Sequence, residues 1–370
     1  MNDPGMEIIP PASLGSSAVR VLVVDDSAVA RELLERGLSR DPGIEVAGKA
    51  KDAYEARDKI VLLRPDVLTL DVEMPRMDGI EFLRRLLPQY PLPVVVVSAV
   101  TPEGSRHALE ALDAGAMAVV AKPRAEDREG LEAMLSELAE AVKEAARADV
   151  SKMRRQAAIA KAERSAPEPA RSGAGRALAI GASTGGTAAL NAIVPRFPAT
   201  IPGTVIVQHM PPVFTRMFAE SLDRISEVEV KEAKSGDELR PGRVLVAPGD
   251  LHVRLVRRGD SWLVNCVPGP KVSGHRPSAD VLFSSFAEAA GDRGIGLILT
   301  GMGRDGAAGL LEMRRAGARC FAQDEESSVV FGMPKEAWDI GAAERLVGLD
   351  GAVDAVLSCL AEPAPCGRMG

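Results

Sequence analysis

The chain has 370 residues, 46% hydrophobic and 26% charged, with a mean hydropathy of +0.02. That is the make-up of a soluble globular protein long enough for two domains, and no apolar run approaches the ~20 residues of a membrane helix. A formal net charge of −7 and a pI of about 5.4 argue against nucleic acid as a partner, because such binding rests on a basic footprint.

Residues 1–18, MNDPGMEIIPPASLGSSA, lack a basic stretch ahead of an apolar core and read as a disordered tail, not a signal peptide. Residues 19–146 alternate strand-like runs (VRVLVVDD, IEVAGKA, PDVLTLDVEMP, PVVVVSAV, AMAVVAKP) with amphipathic helical stretches. Five apolar strands interleaved with five helices imply a doubly wound parallel sheet, covered on both faces. Residues 147–176 turn to charge, Ala, Pro, Ser and Gly, and read as a linker with a helical start, extended around Pro167 and Pro169. The alternation resumes over residues 177–362 with ALAIGAS, TVIVQHMPP, GRVLVAPGD, GIGLILTGMGRDG and ARCFAQ. Within this half, LHVRLVRRGDSWLVNCV reads as an antiparallel hairpin turning at Gly259-Asp260. The second domain is therefore mainly parallel α/β with a β-hairpin, followed by a tail over 363–370. Cys266, Cys320, Cys359 and Cys366 form no CxxC pair and no metal-ligand spacing, which fits a reducing cytosol.

In an open parallel sheet, ligands bind at the carboxyl ends of the strands. In the first half those ends carry Asp25, Asp26, Asp71, Ser98 and Lys122. Three clustered carboxylates repel one another and favour a hard divalent cation such as Mg²⁺. Lys122 offers a compact positive charge to a phosphoryl group, and Ser98 a hydroxyl. Any one of these residues is commonplace at a strand end, but the joint pattern DD…LDVEMPRMDG…S…KP resembles the receiver domains of two-component response regulators. The resemblance implies a flavodoxin-like fold with strand order 2-1-3-4-5 and phosphorylation of Asp71 by a histidine kinase. It also implies Mg²⁺ held by Asp26, Asp71 and the Glu73 carbonyl, with Asp25 assisting. Receivers usually carry an aromatic switch residue where this chain has Val119, so aromatic rotation is not expected to carry the signal.

In the second half Ser183, His209 and Asp305 each follow an apolar run. On neighbouring parallel strands they would converge as nucleophile, base and orienting carboxylate. The string GASTG fits G-x-S-x-G, yet the chain order Ser, His, Asp differs from that of the α/β-hydrolases. A phosphate cradle is disfavoured, since no Lys follows the glycines. The set GASTGG, VIVQHMPP, SGHRPSADVLF and LTGMGRDGAAGL resembles the catalytic domain of chemotaxis protein-glutamate methylesterases. That family also joins a receiver to this domain through a linker. The resemblance implies hydrolysis of glutamate methyl esters on methyl-accepting chemoreceptors, with methanol release and a side activity on receptor glutamines. Ser183 would be the nucleophile, His209 the base and Asp305 its orienting group, with Thr184 and the Met302 backbone aiding the oxyanion or the serine hydroxyl. No cofactor is expected for the ester chemistry. The receiver is expected to block the site until Asp71 is phosphorylated, in a cytoplasmic monomer that reaches the membrane only through receptors. His275, at a helix entry near Ser278, reads as a structural or groove residue. His252 reads as a surface or packing residue, and His107 as remote from the ester chemistry. The competing reading is a receiver fused to a non-catalytic, esterase-like adaptor.

Overall fold

The computed structural model describes residues 18–99, 101–123, 127–153, 156 and 175–361. Residues 1–17 of the expected tail over 1–18, residues 157–174 of the expected linker over 147–176, with Pro167 and Pro169, and the C-terminal stretch with Cys366 lie outside the described residues.

The first sheet is formed by β1 (Val19–Val24), β2 (Ile44–Ala50), β3 (Val67–Leu70), β4 (Val94–Ala99) and β5 (Ala118–Lys122). All neighbours pair in parallel in the order β2-β1-β3-β4-β5, as expected. Its helices are α1 (Ala28–Leu38), α2 (Ala53–Leu63), α3 (Gly79–Leu86), α4 (Pro102–Asp113) and α5 (Arg128–Ala145). Short polar side chains start them: Ser27, Asp52, Asp78, Thr101 and Asp127 each accept a hydrogen bond from a first-turn N–H. These caps satisfy donors that the helix itself leaves unpaired.

The second sheet contains β6 (Ala177–Ala182), β7 (Gly203–Gln208), β8 (Glu229–Glu232), β10 (Arg243–Val246), β13 (Gly294–Ile298), β14 (Arg319–Gln323) and β15 (Arg345–Val347). Their order is β15-β14-β13-β6-β7-β10-β8, again all parallel. The predicted hairpin, β11 (His252–Arg258) with β12 (Ser261–Val267), is present and acquires a two-residue third strand, β9 (Glu238–Leu239). Helices α6 (Gly186–Ile193), α7 (Phe214–Ile225), α8 (Ala279–Ala289), α9 (Ala307–Arg315), α10 (Met333–Asp339) and α11 (Ala352–Ala361) complete this half. Every residue of β6, β7 and β13 is buried, so the strand ends bearing Ser183, His209 and Asp305 issue from the centre of the sheet.

The two halves pack together. Helix α4 lies against α6 and α7, and Asn191 Nδ2 donates to Asp113 Oδ1 at 3.1 Å across the junction. After α5 the chain is fastened to the segment 324–330. Asp149 N–H donates to the Val329 carbonyl (3.0 Å), Lys152 Nζ to the Glu325 carbonyl (2.7 Å) and buried Gln156 Nε2 to the Ser327 carbonyl (2.9 Å). Val329 and Val330 join the apolar cluster of Leu138, Val142 and Met153 beneath α5.

Candidate active site

Strands β13, β6 and β7 are adjacent; the segments that follow them place His209 beside Asp305 and put Ser183 and His209 on the lining of one cavity. Ser183 sits on a tight turn between β6 and α6. Its N–H donates to the Thr300 carbonyl (3.0 Å), and its carbonyl accepts from Gly186 N–H (2.7 Å) and from Gln208 Nε2 (3.0 Å). Gly185 begins α6 with φ of 76°, a left-handed conformation that glycine adopts without steric cost. Gly301 is needed for a different reason: a Cβ there would lie 2.7 Å from the Ser183 Cβ. The sequence GASTGG thus mounts a hydroxyl on a rigid turn ahead of a helix N-terminus, where developing negative charge is favoured.

His209 Nε2 lies 2.8 Å from Asp305 Oδ2. Asp305 is almost fully buried, and Ser278 Oγ donates to its Oδ1 at 2.6 Å while the Ala279 N–H donates to its Oδ2 at 2.7 Å. Burial alone would raise this carboxyl; the bonds from His209, Ser278 and Ala279 outweigh it and hold the pKa down at about 2. An ionised Asp305 accepts the proton carried on Nε2, so Nδ1 is the basic nitrogen of His209. Nδ1 is buried and has no hydrogen-bond partner among the described residues.

His275 stacks on His209 with ring centroids 3.7 Å apart and planes 7° from parallel, so its groove placement is within the site itself. Its Nδ1 lies 2.9 Å from the Ser273 carbonyl. Removal from water, together with the neighbouring His209, lowers its pKa to about 4, so the ring is neutral at ordinary pH. His252 is not a surface residue: it is buried, with Nε2 2.8 Å from the Pro270 carbonyl. His107 lies on α4, in the other domain. Ser278 caps α8, as its sequence context indicates, and also grips Asp305.

In the first domain Lys122 Nζ bridges Asp25 Oδ2 (2.8 Å) and Asp71 Oδ2 (2.7 Å). Burial raises the Asp71 carboxyl despite Lys122. Burial opposes the Lys122 charge, but Asp71 and Asp25 outweigh it and raise its pKa. Oxygens of Asp25, Asp26 and Asp71 lie within 4.8 Å of one another, a donor set suited to a hard divalent cation. The Glu73 N–H donates to Asp71 Oδ1 (3.2 Å), which folds the Glu73 backbone over the same pocket. Ser98 is fully buried and donates to the Gly104 carbonyl at 3.0 Å.

Ser183 and Thr184 are only 6% and 5% exposed, and α5 of the first domain lines the cavity in front of them. A cavity of about 610 Å³ remains between the halves, walled by Glu137, Glu140 and Glu144 on one side and by Ser183, Thr184, His209, Lys271 and His275 on the other. Thr184 Oγ1 donates to Glu144 Oε2 at 2.6 Å. Arg147 donates to the Met302 sulfur at 3.5 Å, which brings Met302 to the same junction. The parts that sequence reasoning missed are Glu144, Gln208, the Ser278 bond to Asp305 and Thr300, whose hydroxyl donates to the Thr184 carbonyl (3.0 Å) and accepts from Val330 N–H (2.9 Å). A Ser–Ala–Asp helix entry is the one local signal among them.

Residues 178–356 match the CheB methylesterase family, and residues 21–136 match the response regulator receiver domain. A protein of Syntrophotalea carbinolica named protein-glutamate methylesterase/protein-glutamine glutaminase is 54% identical over 346 residues, covering 93% of this chain and 98% of its own. One of the same name from Sulfurimonas denitrificans is 50% identical over 349 residues, covering 92% and 99%. Among solved structures, the CheB methylesterase catalytic domain of Thermotoga maritima is 37% identical with a TM-score of 0.49, covering 50% of this chain and 99% of that one. With relatives this similar across nearly its whole length, the chain belongs to the CheB methylesterase family, with a response regulator receiver domain ahead of the esterase domain.

Proposed function

We propose that the protein hydrolyses glutamate methyl esters, and deamidates glutamines, on chemoreceptors under control of its receiver. The observation that carries this reading is His209, held 2.8 Å from the buried Asp305 and lining the same cavity wall as Ser183. Ser183 Oγ attacks the γ-carbonyl carbon as His209 Nδ1 takes its proton. The tetrahedral oxyanion forms at the α6 N-terminus, with Thr184 and the Met302 backbone as supporting groups. Collapse breaks the carbon–methoxyl bond, and the imidazolium returns the proton to release methanol. Water, deprotonated by the same nitrogen, then attacks the acyl-serine, and Ser183 leaves with the proton, freeing glutamate. With glutamine the leaving group is ammonia. Asp305 holds the imidazole in the required tautomer and stabilises its charged form.

Asp71 is the proposed phosphoryl acceptor from a histidine kinase. Mg²⁺ held by Asp26, Asp71 and the Glu73 carbonyl, with Asp25 assisting, would offset charge on the transferred group. Lys122 and Ser98 complete the pocket for the phosphoryl oxygens. The receiver covers Ser183, and phosphorylation weakens that cover. No helix among the described residues is long and apolar enough to cross a membrane. The protein is proposed to act as a cytoplasmic monomer, meeting membranes through its receptor substrates. The test is methanol release from methylated receptor membranes, with and without a small-molecule phosphodonor. Wild type should release methanol and respond to the donor, whereas Ser183→Ala should release none. Full release by Ser183→Ala would overturn the assignment.

A further inference from the structure

The receiver does more than shade the nucleophile; it places one particular side chain there. On α5, Glu137, Glu140 and Glu144 line the cavity, and positions three, four and seven apart share one helix face. Glu144 reaches the esterase domain: its carboxyl oxygen accepts from Thr184 Oγ1, the hydroxyl next to the proposed nucleophile. Burial raises the Glu144 carboxyl above the ordinary range, against the opposing effects of Thr184 and His209, which increases its neutral fraction. A neutral carboxyl resembles an ester or an amide in shape and charge. Across the cavity Lys271 faces this acidic row and acts on Glu137. A groove with a cation on one wall and a hydroxyl donor beside the nucleophile is matched by a helix that projects glutamyl side chains.

We infer that α5 occupies the place of the substrate helix: Glu144 stands in for the glutamyl side chain, and Thr184 Oγ1 is the donor that recognises its carboxyl group. The inference rests on the proposed esterase activity and gives it a substrate shape, a glutamyl side chain on an acidic helix. Thr184 is then a specificity residue, read in KM, and the unphosphorylated receiver is an internal competitor for the acyl subsite.

The experiment uses the full-length, unphosphorylated protein and methanol release from methylated receptor membranes. The variants are Glu144→Ala, Asn191→Ala and the double variant Glu144→Ala/Thr184→Val. Asn191→Ala loosens the junction away from the cavity and controls for docking alone. Glu144→Ala should raise basal kcat/KM by about fivefold to tenfold, the scale of one lost hydrogen bond to a carboxyl. N-acetyl-glutamate, added as a free product mimic, should inhibit Glu144→Ala competitively, and N-acetyl-aspartate, one methylene shorter, should not. Adding Thr184→Val should raise KM and abolish that inhibition, in addition to the fall in kcat that loss of its oxyanion support brings. Equal activation by Glu144→Ala and Asn191→Ala, or no N-acetyl-glutamate effect on Glu144→Ala, would overturn the mimicry. So would an unchanged KM on adding Thr184→Val. Those outcomes leave the esterase reading intact as long as phosphodonor-stimulated wild type still releases methanol and Ser183→Ala does not.

Discussion

Asp305 accepts hydrogen bonds on both oxygens, and this makes its charge a structural element as well as part of the proposed catalytic set. Its folded pKa of about 2 lies below the ordinary value of 3.8. The unfolded chain therefore binds the proton more readily, so the stabilisation is complete above pH 3.8 and is lost as pH falls through about 2. The shift corresponds to about 2 kcal/mol. Asp305→Asn should flatten the acid limb of chemical-denaturation stability by that amount, measured between neutral pH and the acid transition. It should also lower kcat by roughly four orders of magnitude, as happens when an orienting carboxylate is replaced by an amide that favours the wrong tautomer. His275 acts through its ring face. Its folded pKa of about 4 is below 6.5, so its contribution is whole above pH 6.5 and is lost as pH falls through about 4. At neutral pH it presents an uncharged plane that fixes the tilt of the His209 imidazole. His275→Ala should lower kcat roughly tenfold, the scale of an aromatic pair, and His275→Phe should restore most of it. An equal loss in both variants would assign His275 a role through its nitrogens instead.

At the scale of elements, the turn carrying Ser183 is held from behind by the ends of β13 and β14. Thr300, after β13, joins the Ser183 N–H, the Thr184 carbonyl and Val330, and its own N–H donates to Gln323 Oε1 at the end of β14 (2.8 Å). Thr300→Val keeps the shape but leaves the Thr184 carbonyl and the Val330 N–H without their buried partner. Urea denaturation should show a loss of about 1–3 kcal/mol, the cost of stranding buried polar groups. This network explains what was legible in the sequence and what was not. β1 to β7, β10, β13 and β14 announce themselves as apolar runs, and Ser183, His209 and Asp305 as polar residues that follow such runs. β8, with its EVKE pattern at the sheet edge, and the two- and three-residue β9 and β15 are too short or too polar to register. α10, only seven residues long, escapes for the same reason. Thr300, Gln323 and Glu144 are invisible for a different reason: each acquires its role from a partner 20 to more than 100 positions away. His252 shows the limit of strand alternation, which leaves surface and core open where a loop folds over the strand.

At the scale of the whole molecule, the receiver and the start of the linker grip the esterase domain at three places: α4 against α6 and α7, Glu144 against Thr184, and Asp149, Lys152 and Gln156 against the segment 324–330. The third grip touches the nucleophile indirectly, since Val330 bonds the Thr300 hydroxyl and Val329 packs against Gly185. Asp71, the proposed phosphoryl acceptor, lies in the receiver domain and is bonded to Lys122 at the end of β5. Val119 stands where an aromatic switch would be, is buried in β5 and lines the interdomain cavity, so no ring rotation can relay the change. The proposed relay is a change in Asp71's bond to Lys122, at the end of β5, that would shift β5 and its flanking helices against the esterase domain. Released grips should expose backbone amides together on both sides of the junction. Hydrogen exchange of the full-length protein with a phosphodonor and Mg²⁺ should therefore speed up in α4, in α6 and in residues 324–330, with the strands β6, β7 and β13 unchanged. Asp71→Asn should show none of these changes and should lose the phosphodonor's effect on methanol release while keeping the basal rate. Faster exchange confined to the Asp71 pocket, with methanol release still stimulated, would mean that the receiver controls the esterase without undocking.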